Sequence, residues 1–438
     1  MAARIGIIAE YNPFHEGHAH QIAEAKKRYP DADVVVFMSG DFVQRGEPAI
    51  VSKYFRAEAA VQGGADIVLS PPVFASVSAA GDFAYYGVKG LLAAGCDAIS
   101  FGCEDPEIAD FRDDIKRLIG LEKSSEYNNV IRNGMKEGLS YPAARLEAVR
   151  SLGLFDEAFL EKIKKPNNLL AFEYIRTLCE LDREDDVELI PIRREGMGYH
   201  EGFVDGAASE RSESALKNPS AEAIRRYVHD LVKNIEAVMK MQKSAEDNKA
   251  LDGERLSVEA LSDEKLVEYG EKFNYAFPDN LSDMLYYRLS SMSLEELIQT
   301  RDCNEDIANR IKNCLPQFES FTEFIELVKT KDITYTRVSR IFINALLMIG
   351  EVPKDLPYMY VLACAKDKRY IISDISSKKR IPLLVTGKDV EAVTDSDRSE
   401  DTDVCMRTDR LSHEIYVKLA HKSGGDSLPE LFRQYIFV

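Results

Sequence analysis

Long hydrophobic runs are missing from this sequence. No stretch of about 18 uncharged apolar residues occurs, which is roughly the length that a helix needs to cross a membrane. The opening apolar run, Ile5 to Ala9, is far too short for the apolar region of a secretion signal. We therefore expect no membrane partner and a cytoplasmic location.

Paired cysteines of the CxxC type are also missing. Without such pairs, neither a zinc ribbon nor a redox dithiol is indicated, and we expect no protein-bound metal. An odd number of cysteines fits the reducing cytoplasm, and isolated thiols are most often buried and inert. The seven scattered cysteines are Cys96, Cys103, Cys179, Cys303, Cys314, Cys364 and Cys405.

Basic side chains are fewer than acidic ones. The chain has 56 Lys and Arg against 74 Asp and Glu, a formal net charge of −18. Phosphate contacts need a positive surface, so this balance argues against indiscriminate nucleic-acid binding but leaves RNA binding through a local basic patch open. With 438 residues, 45% of them hydrophobic and 30% charged, the chain is globular and long enough for two or three domains.

The hydrophobic pattern of the first part alternates strands and helices. Buried strands are indicated at 5–9, 33–38, 67–69 and 98–101, with helical segments between them, and a further strand at 187–192. This rhythm predicts a Rossmann-like parallel α/β sheet, whose ligands bind at the carboxyl ends of the strands. A mainly helical pattern follows, and strand-like alternation returns over 359–375. We predict three domains: a parallel α/β domain over 1–217, a helical domain over 218–350, and a small C-terminal α+β region over 351–438.

Two histidines stand out directly after the first strand. His15 and His18 flank Gly17, and a helical segment begins beside them. Free backbone N–H groups and the positive dipole end make a helix start an anion site, and a glycine there lets a triphosphate approach the backbone. The imidazoles then donate hydrogen bonds to the phosphates as charge shifts to the leaving pyrophosphate. The alternatives are two ordinary surface histidines, or a zinc pair for which no third ligand is evident nearby.

The surroundings of these histidines resemble bacterial tRNA(Met) cytidine acetate ligase, a member of the HxGH nucleotidyltransferase superfamily. The resemblance rests on the run from Ile7 to His18 and on the far more specific run from Met38 to Ala49. It continues through Ser100–Phe101–Gly102, and through the segments 138–144, 165–170 and 334–337. It therefore extends over most of the chain.

This resemblance implies an activity and its partners. Such enzymes use ATP, expected with Mg²⁺, and acetate to make acetyl-adenylate, and then acetylate N4 of the wobble cytidine of elongator tRNA(Met). His15 and His18 would be catalytic, and Gln44, Arg45 and Glu47 are candidates for a substrate loop beside them. The implied ATP-binding residues are Ile7, Ile8, Ala9, Glu10, Tyr11, Asn12, Pro13, Phe14, His15, Glu16, Gly17, His18, Ala19, His20, Gly102, Asn167, Asn168, Arg193 and Arg194.

One segment departs from the family pattern. Family members carry a Ser-Ala-Thr-Ser-Ile-Arg-like motif that contacts the phosphates, whereas the corresponding stretch here, 208–216, has Ser214 in place of the arginine and a glutamate at 213. Negative charge near a triphosphate opposes its binding. A small-molecule adenylyltransferase of cofactor synthesis, or a nucleotide- or tRNA-binding homologue with impaired chemistry, therefore remains an alternative.

Overall fold

The fold is organised around one mostly parallel sheet with helices packed against it, as the alternating pattern predicts. The computed structural model describes residues 3–137, 141–153, 161, 165–193, 221–222, 224–226, 228–229, 275–390, 400–421 and 436–438. The altered segment 208–216 and Arg194 lie outside these residues. All seven cysteines are described and are free thiols, four of them buried and three half-buried.

The strands of the described residues follow the predicted positions closely in the N-terminal part. A short hairpin of two strands, 42–43 and 47–48, was not predicted. The strands are β1 (Arg4–Ala9), β2 (Asp33–Met38), β3 (Phe42–Val43), β4 (Glu47–Pro48), β5 (Ile67–Ser70), β6 (Ala98–Cys103), β7 (Glu188–Arg193), β8 (Met359–Cys364), β9 (Leu383–Leu384) and β10 (Ile436–Phe437).

Helices separate most of these strands and cover the sheet. Those of the described residues are α1 (Glu16–Arg28), α2 (Lys53–Gln62), α3 (Val73–Ser76), α4 (Ala80–Ala93), α5 (Arg112–Glu122), α6 (Ser125–Lys136), α7 (Tyr141–Ser151), α8 (Pro166–Glu180), α9 (Ser282–Ser291), α10 (Leu294–Ile298), α11 (Glu305–Cys314), α12 (Phe321–Val328), α13 (Tyr335–Leu346), α14 (Tyr370–Lys378) and α15 (Glu400–His421).

The strand order places β1, which leads into the predicted binding turn, in the interior of the sheet. The order is β10-β8-β5-β2-β1-β6-β7, with β9 also paired to β8, and β1 lies between β2 and β6 in parallel with both. All six residues of β2 are buried, as expected of a parallel strand covered on both faces. The carboxyl ends of β1, β2 and β6 therefore meet at one edge.

The C-terminal strands extend this same sheet. β8 pairs with β5 in the antiparallel sense, and β9 and β10 pair with β8. Residues 351–438, predicted as a small region of their own, are thus joined to the N-terminal sheet through contacts between residues far apart in sequence. The strand-like pattern over 359–375 holds only to Cys364, since α14 begins at Tyr370. The boundaries at 217 and 350 stay predictions.

Helix α13 docks onto the hairpin β3–β4. Ser339 of α13 donates its hydroxyl to the carbonyl of Gly46 at 2.6 Å. Gly46 has φ +80°, and a Cβ there would lie 2.7 Å from the Cα of Arg340. Only glycine tolerates both this conformation and this approach, so the Gly46 turn fixes the helical region against the hairpin.

Close packing of α4 on the sheet yields a stability prediction. A Cβ on Gly90 would lie 2.7 Å from Cε1 of the Phe37 ring in β2, whereas a Cβ on Gly120, exposed in α5, would meet nothing within 4 Å. We expect Gly90→Ala to destabilise the fold by about 1–3 kcal/mol through overpacking. Gly120→Ala should stabilise it by about 0.5–1 kcal/mol, because alanine is the better helix former. Urea unfolding of both variants checks this, and equal effects would contradict it.

Candidate active site

The HxGH turn forms the start of helix α1. His15 is the N-cap residue: its Nδ1 accepts a hydrogen bond from the Gly17 amide at 3.1 Å, and Nδ1 of His18 accepts one from the His15 amide at 3.3 Å. This reciprocal pair is a capping box made of two histidines, where serine and glutamate are the usual residues. The catalytic candidates therefore also define where the helix begins.

This capping arrangement determines which nitrogen carries the proton in each neutral ring. Since Nδ1 of each ring accepts a backbone hydrogen bond, a neutral imidazole at either position carries its proton on Nε2. The rings stack with centroids 3.7 Å apart, so the two N–H donors are held side by side. A Cβ on Gly17 would lie 3.0 Å from Cε1 of His15, which explains the glycine between them. Paired donors at a helix N-terminus suit the oxygens of a polyphosphate.

Aromatic side chains pack against one another within the HxGH turn. The Tyr11 ring is buried and lies 4.6 Å from the His18 ring and 4.9 Å from the Phe14 ring, measured between centroids. Tyr11 has φ +47°, a left-handed conformation that turns the chain sharply as β1 ends. Burial raises the pKa of the Tyr11 hydroxyl, so this side chain stays neutral and serves as packing.

A buried arginine joins the ends of β1 and β2. The Arg56 guanidinium on α2 donates to the carbonyl oxygens of Glu10 at 2.6 Å, Ser39 at 3.1 Å, and also Gly40. Its Nε donates to the carbonyl of Val51 at 3.1 Å. Burial lowers the pKa of Arg56, but these carbonyls replace the water that the charge has lost. Sequence reasoning missed this residue, because an arginine in a helix ordinarily faces solvent.

The predicted substrate loop lies beside the HxGH turn. The amide of Gln44 donates to Oε1 of Glu10 at 2.7 Å, and the Gln44 side chain donates to the carbonyl of Ser78 at 3.2 Å. Desolvation raises the pKa of Glu10 and outweighs the opposing influence of Arg45. The hairpin residues Gln44, Arg45 and Glu47 are all half-buried. The hairpin therefore lies against the end of β1, and the roles of its residues in binding substrate stay predictions.

Asn12 connects the HxGH turn to the hairpin and to a distant segment. Its Oδ1 accepts from the amide of Ile50 at 2.7 Å, and its carbonyl accepts from the Arg225 guanidinium at 2.7 Å. Arg225 also lies 3.6 Å from Oε1 of Glu47. The position of Arg225 at this turn was not predicted.

The predicted ATP-binding residues Asn167 and Asn168 lie at the start of α8, next to the loop that follows β6. Asn168 is fully buried, and its Oδ1 accepts from the amides of Glu104 at 3.0 Å and Asp105 at 3.2 Å. The Glu104 carboxylate in turn accepts from Asn168 N at 3.0 Å and Asn167 Nδ2 at 2.7 Å. Because α8 begins at Pro166, the asparagines lie in its first turn and do not cap it, and the Glu104 carboxylate accepts their backbone amides. Asn168 instead shapes the loop that follows Gly102.

The remaining predicted residues spread over the same edge of the sheet. Arg193 ends β7 opposite Cys103, is exposed, and lies 3.8 Å from Glu107. Ile7 is buried in the core, so only its backbone faces the binding edge. Ile8, Ala9, Pro13 and Ala19 are half-buried, and Glu16 and His20 are exposed. The side chain of Gln21, which was not predicted, donates to the carbonyl of Ser100 at 3.1 Å and ties α1 to β6.

A buried charge cluster lies under the hairpin. Lys53 at 2.7 Å and His413 at 3.0 Å both contact Oδ2 of Asp41. Burial alone would raise the pKa of Asp41, but these two partners hold it well below its usual range. Nearby, Asp409 on α15 accepts from the amide of Val73 at 2.7 Å and from two tyrosine hydroxyls. The cluster links the C-terminal helix to the strand ends.

Two further properties bear on ligands and location. Among the described residues, no group of three or more His, Cys, Asp or Glu side chains could hold a metal ion. In the same part of the chain, no helix is both long and apolar enough to span a membrane.

The buried Asp409 predicts a pH dependence of stability. Burial raises its pKa from 3.8 to about 6, so the folded state binds this proton more tightly than the unfolded chain does. The contribution of Asp409 to stability therefore falls as pH rises from about 4 to 6. Asp409→Asn keeps a carbonyl acceptor but cannot titrate, so between pH 4 and 7 it should gain up to about 3 kcal/mol relative to the parent chain. Denaturant unfolding at each pH measures this, and a constant difference would contradict it.

Comparison with known proteins agrees with this architecture. The family model described as HIGH Nucleotidyl Transferase matches residues 2–427. The tRNA(Met) cytidine acetate ligase of Ligilactobacillus salivarius is 32% identical over 388 residues, covering 87% of this chain and 89% of the relative. The protein of the same name from Bacillus subtilis is 30% identical over 390 residues, covering 87% and 86%.

A solved structure extends the likeness to three dimensions. The crystal structure of Thermotoga maritima TmcAL bound with alpha-thio ATP is 25% identical, covers 99% of both chains and superposes with a TM-score of 0.76. Sequence and fold thus agree over nearly the whole length. The chain belongs to the HIGH nucleotidyl transferase family and, within it, to the tRNA(Met) cytidine acetate ligases.

Proposed function

We propose that this protein is an ATP-dependent acetate–tRNA ligase. An acetate oxygen attacks the α-phosphorus of ATP, the bond to pyrophosphate breaks, and acetyl-adenylate results. The acetyl group then passes to N4 of the wobble cytidine of elongator tRNA(Met), and AMP leaves. The proposal is supported by relatives named tRNA(Met) cytidine acetate ligase over 87% of the chain.

The capping box of His15 and His18 is the observation that carries the proposal. Both rings are oriented by backbone hydrogen bonds through Nδ1, so a neutral ring at either position carries its proton on Nε2, beside the N-terminus of α1. Charge that develops on the pyrophosphate leaving group is stabilised best by donors fixed in place beforehand. The chemistry needs no covalent enzyme intermediate, and the likeness to a structure bound with alpha-thio ATP supports ATP as a substrate.

The nucleotide site extends along the carboxyl ends of β1, β6 and β7. In this proposal the segment from Ile7 to His20 lines the ATP site, with the Glu10 carboxylate turned to the hairpin and away from the phosphates. Gly102, with the loop shaped by Asn167 and Asn168, lies against the nucleoside. Arg193 completes the site from the end of β7, and the resemblance assigns Arg194, the next residue in the sequence, to the same site. This placement follows from the parallel pairing of β6 with β1 and β7, which brings all three strand ends to one edge.

The remaining parts of the proposal concern partners and organisation. Mg²⁺ would enter with the ATP phosphates, and no side chain of the described residues is assigned as its ligand. The domain over 1–217 would hold ATP, and the helical domain over 218–350 would contact the tRNA. We place the enzyme in the cytoplasm, where its tRNA substrate is found.

One incubation tests the proposed reaction. The full chain is mixed with ATP, Mg²⁺, labelled acetate and total tRNA, without acetyl-CoA, and the digested tRNA is searched for N4-acetylcytidine. Label in elongator tRNA(Met) is expected. Transfer of AMP to a small acceptor with unlabelled tRNA would identify an adenylyltransferase of cofactor synthesis. ATP binding without turnover would identify a homologue with impaired chemistry.

The histidine cap allows a variant that separates structure from catalysis. His15→Asn retains a good N-cap acceptor but removes the Nε2–H donor, so stability should change by less than about 1 kcal/mol. Acetate-dependent pyrophosphate release should fall by about 10²–10³-fold, as for the loss of one fixed donor to developing charge.

The comparison variant is His15→Ala, which loses both the cap and the donor. It should show the same loss of rate and an additional destabilisation of about 0.5–2 kcal/mol. Near-normal pyrophosphate release by His15→Asn would show that the donor is not used in catalysis.

A further inference from the structure

Glu10 lies between the HxGH turn and the hairpin, and both its backbone carbonyl and its side chain accept hydrogen bonds there. It directly follows β1, and its carbonyl accepts from the buried Arg56 at 2.6 Å. Its side-chain Oε1 accepts from the amide of Gln44 at 2.7 Å. Two independent contacts therefore fix a carboxylate next to Tyr11, whose ring packs on His18.

This carboxylate is poorly suited to bind ATP. Phosphate oxygens repel a carboxylate, and they are acceptors that cannot donate a hydrogen bond to it. In the described part of the chain, no cation lies within ion-pair distance of Glu10, although Arg45 and Arg225 act on it at longer range. A ligand group that donates N–H bonds would complement it. The resemblance assigns Glu10 to ATP binding, and its chemistry favours the second substrate.

We infer that Glu10 accepts a hydrogen bond from the exocyclic N4 amine of the target cytidine and takes its proton during acetyl transfer. This inference rests on the proposed function. N4 attacks the acetyl carbonyl carbon, the new C–N bond forms, and the C–O bond to AMP breaks with its electron pair on AMP. The proton that N4 loses goes to the Glu10 carboxylate. Carboxylates are the side chains that pair with N4 of cytosine in nucleic-acid recognition.

The neighbouring carboxylates are already engaged. Glu47 lies 3.6 Å from Arg225 and accepts from the Asn12 side chain at 3.5 Å. Asp41 is buried with Lys53 and His413, which hold its pKa far too low for it to accept a proton near neutral pH. Desolvation instead raises the pKa of Glu10, which makes it a stronger base than Asp41.

The charged and titratable groups that face Glu10 come from four elements. They are Arg45 and Glu47 of the hairpin, Arg56 of α2, Tyr174 of α8, and Arg225. Burial keeps Tyr174 neutral by raising its pKa. A pH dependence of the transfer step that disappears with the Glu10 carboxylate is therefore a property of Glu10.

The test uses Glu10→Gln in the full chain, because glutamine retains an oxygen acceptor for the Gln44 amide. The first step is measured as acetate-dependent exchange of labelled pyrophosphate into ATP, without tRNA. The second is measured in a single turnover, with tRNA added to enzyme that carries acetyl-adenylate. Exchange should stay within about threefold of the parent rate, and transfer should fall by at least about 10²-fold, as for loss of a general base.

A pH profile separates proton transfer from a structural effect. Transfer by the parent enzyme should rise with pH as Glu10 loses its proton, and the rise should vanish in E10Q. E10D, which retains a carboxylate on a shorter chain, should recover part of the rate and the pH dependence. E58Q neutralises a carboxylate elsewhere on α2 and should match the parent enzyme in both steps.

The results that would overturn the inference can be told apart from the result that would overturn the proposed function. Equal losses in exchange and transfer would place Glu10 in acetate activation or in folding and overturn the inference. Normal transfer by E10Q, or a pH profile that E10Q leaves unchanged, would overturn it as well. If the parent enzyme exchanges pyrophosphate but never acetylates tRNA, the proposed function fails before the variant is considered.

Discussion

The buried guanidinium of Arg56 is the contact on which the geometry of this site depends. It satisfies carbonyl oxygens at the ends of both β1 and β2, together with the carbonyl of Val51. Buried carbonyls without partners, and a buried cation without acceptors, are each unfavourable by several kcal/mol, so neither arrangement persists without the other. Arg56 thereby sets the distance between the HxGH turn and the hairpin, which carry the two halves of the proposed chemistry.

The histidine cap completes this geometry on the nucleotide side. Capping normally satisfies backbone N–H groups with residues that have no further use, whereas here the same side chains carry the donors proposed for catalysis. A helix start is well defined only when its cap is formed, so the orientation of the Nε2–H groups is coupled to the fold of α1. The stacked rings need no rearrangement when charge develops on a phosphate, and this pre-organisation is what electrostatic catalysis requires.

The sequence predicts the features that depend on local pattern. Alternating apolar runs predict β1, β2, β5, β6 and β7, and the spacing of His15 and His18 predicts the start of α1. Long-range contacts leave no such signal. The pairing of β8 with β5, the burial of Arg56 on α2, and the exchange of hydrogen bonds between Asn168 and Glu104 all join residues whose partners lie far along the chain. Apolar periodicity identifies which face is buried but not which polar groups meet there.

The backbone turn at Tyr11 separates the acceptor carboxylate of Glu10 from the donors of the HxGH turn. Its left-handed φ of +47° is strained by roughly 1–3 kcal/mol for a residue that is not glycine. The strain is compensated by burial of its ring against Phe14 and His18. Because the chain turns sharply there, Glu10 before it faces the hairpin, and His15 after it begins the helix that presents donors. Acceptor and donors are thus kept apart, and the proposed proton acceptor stays away from the phosphates that would repel it.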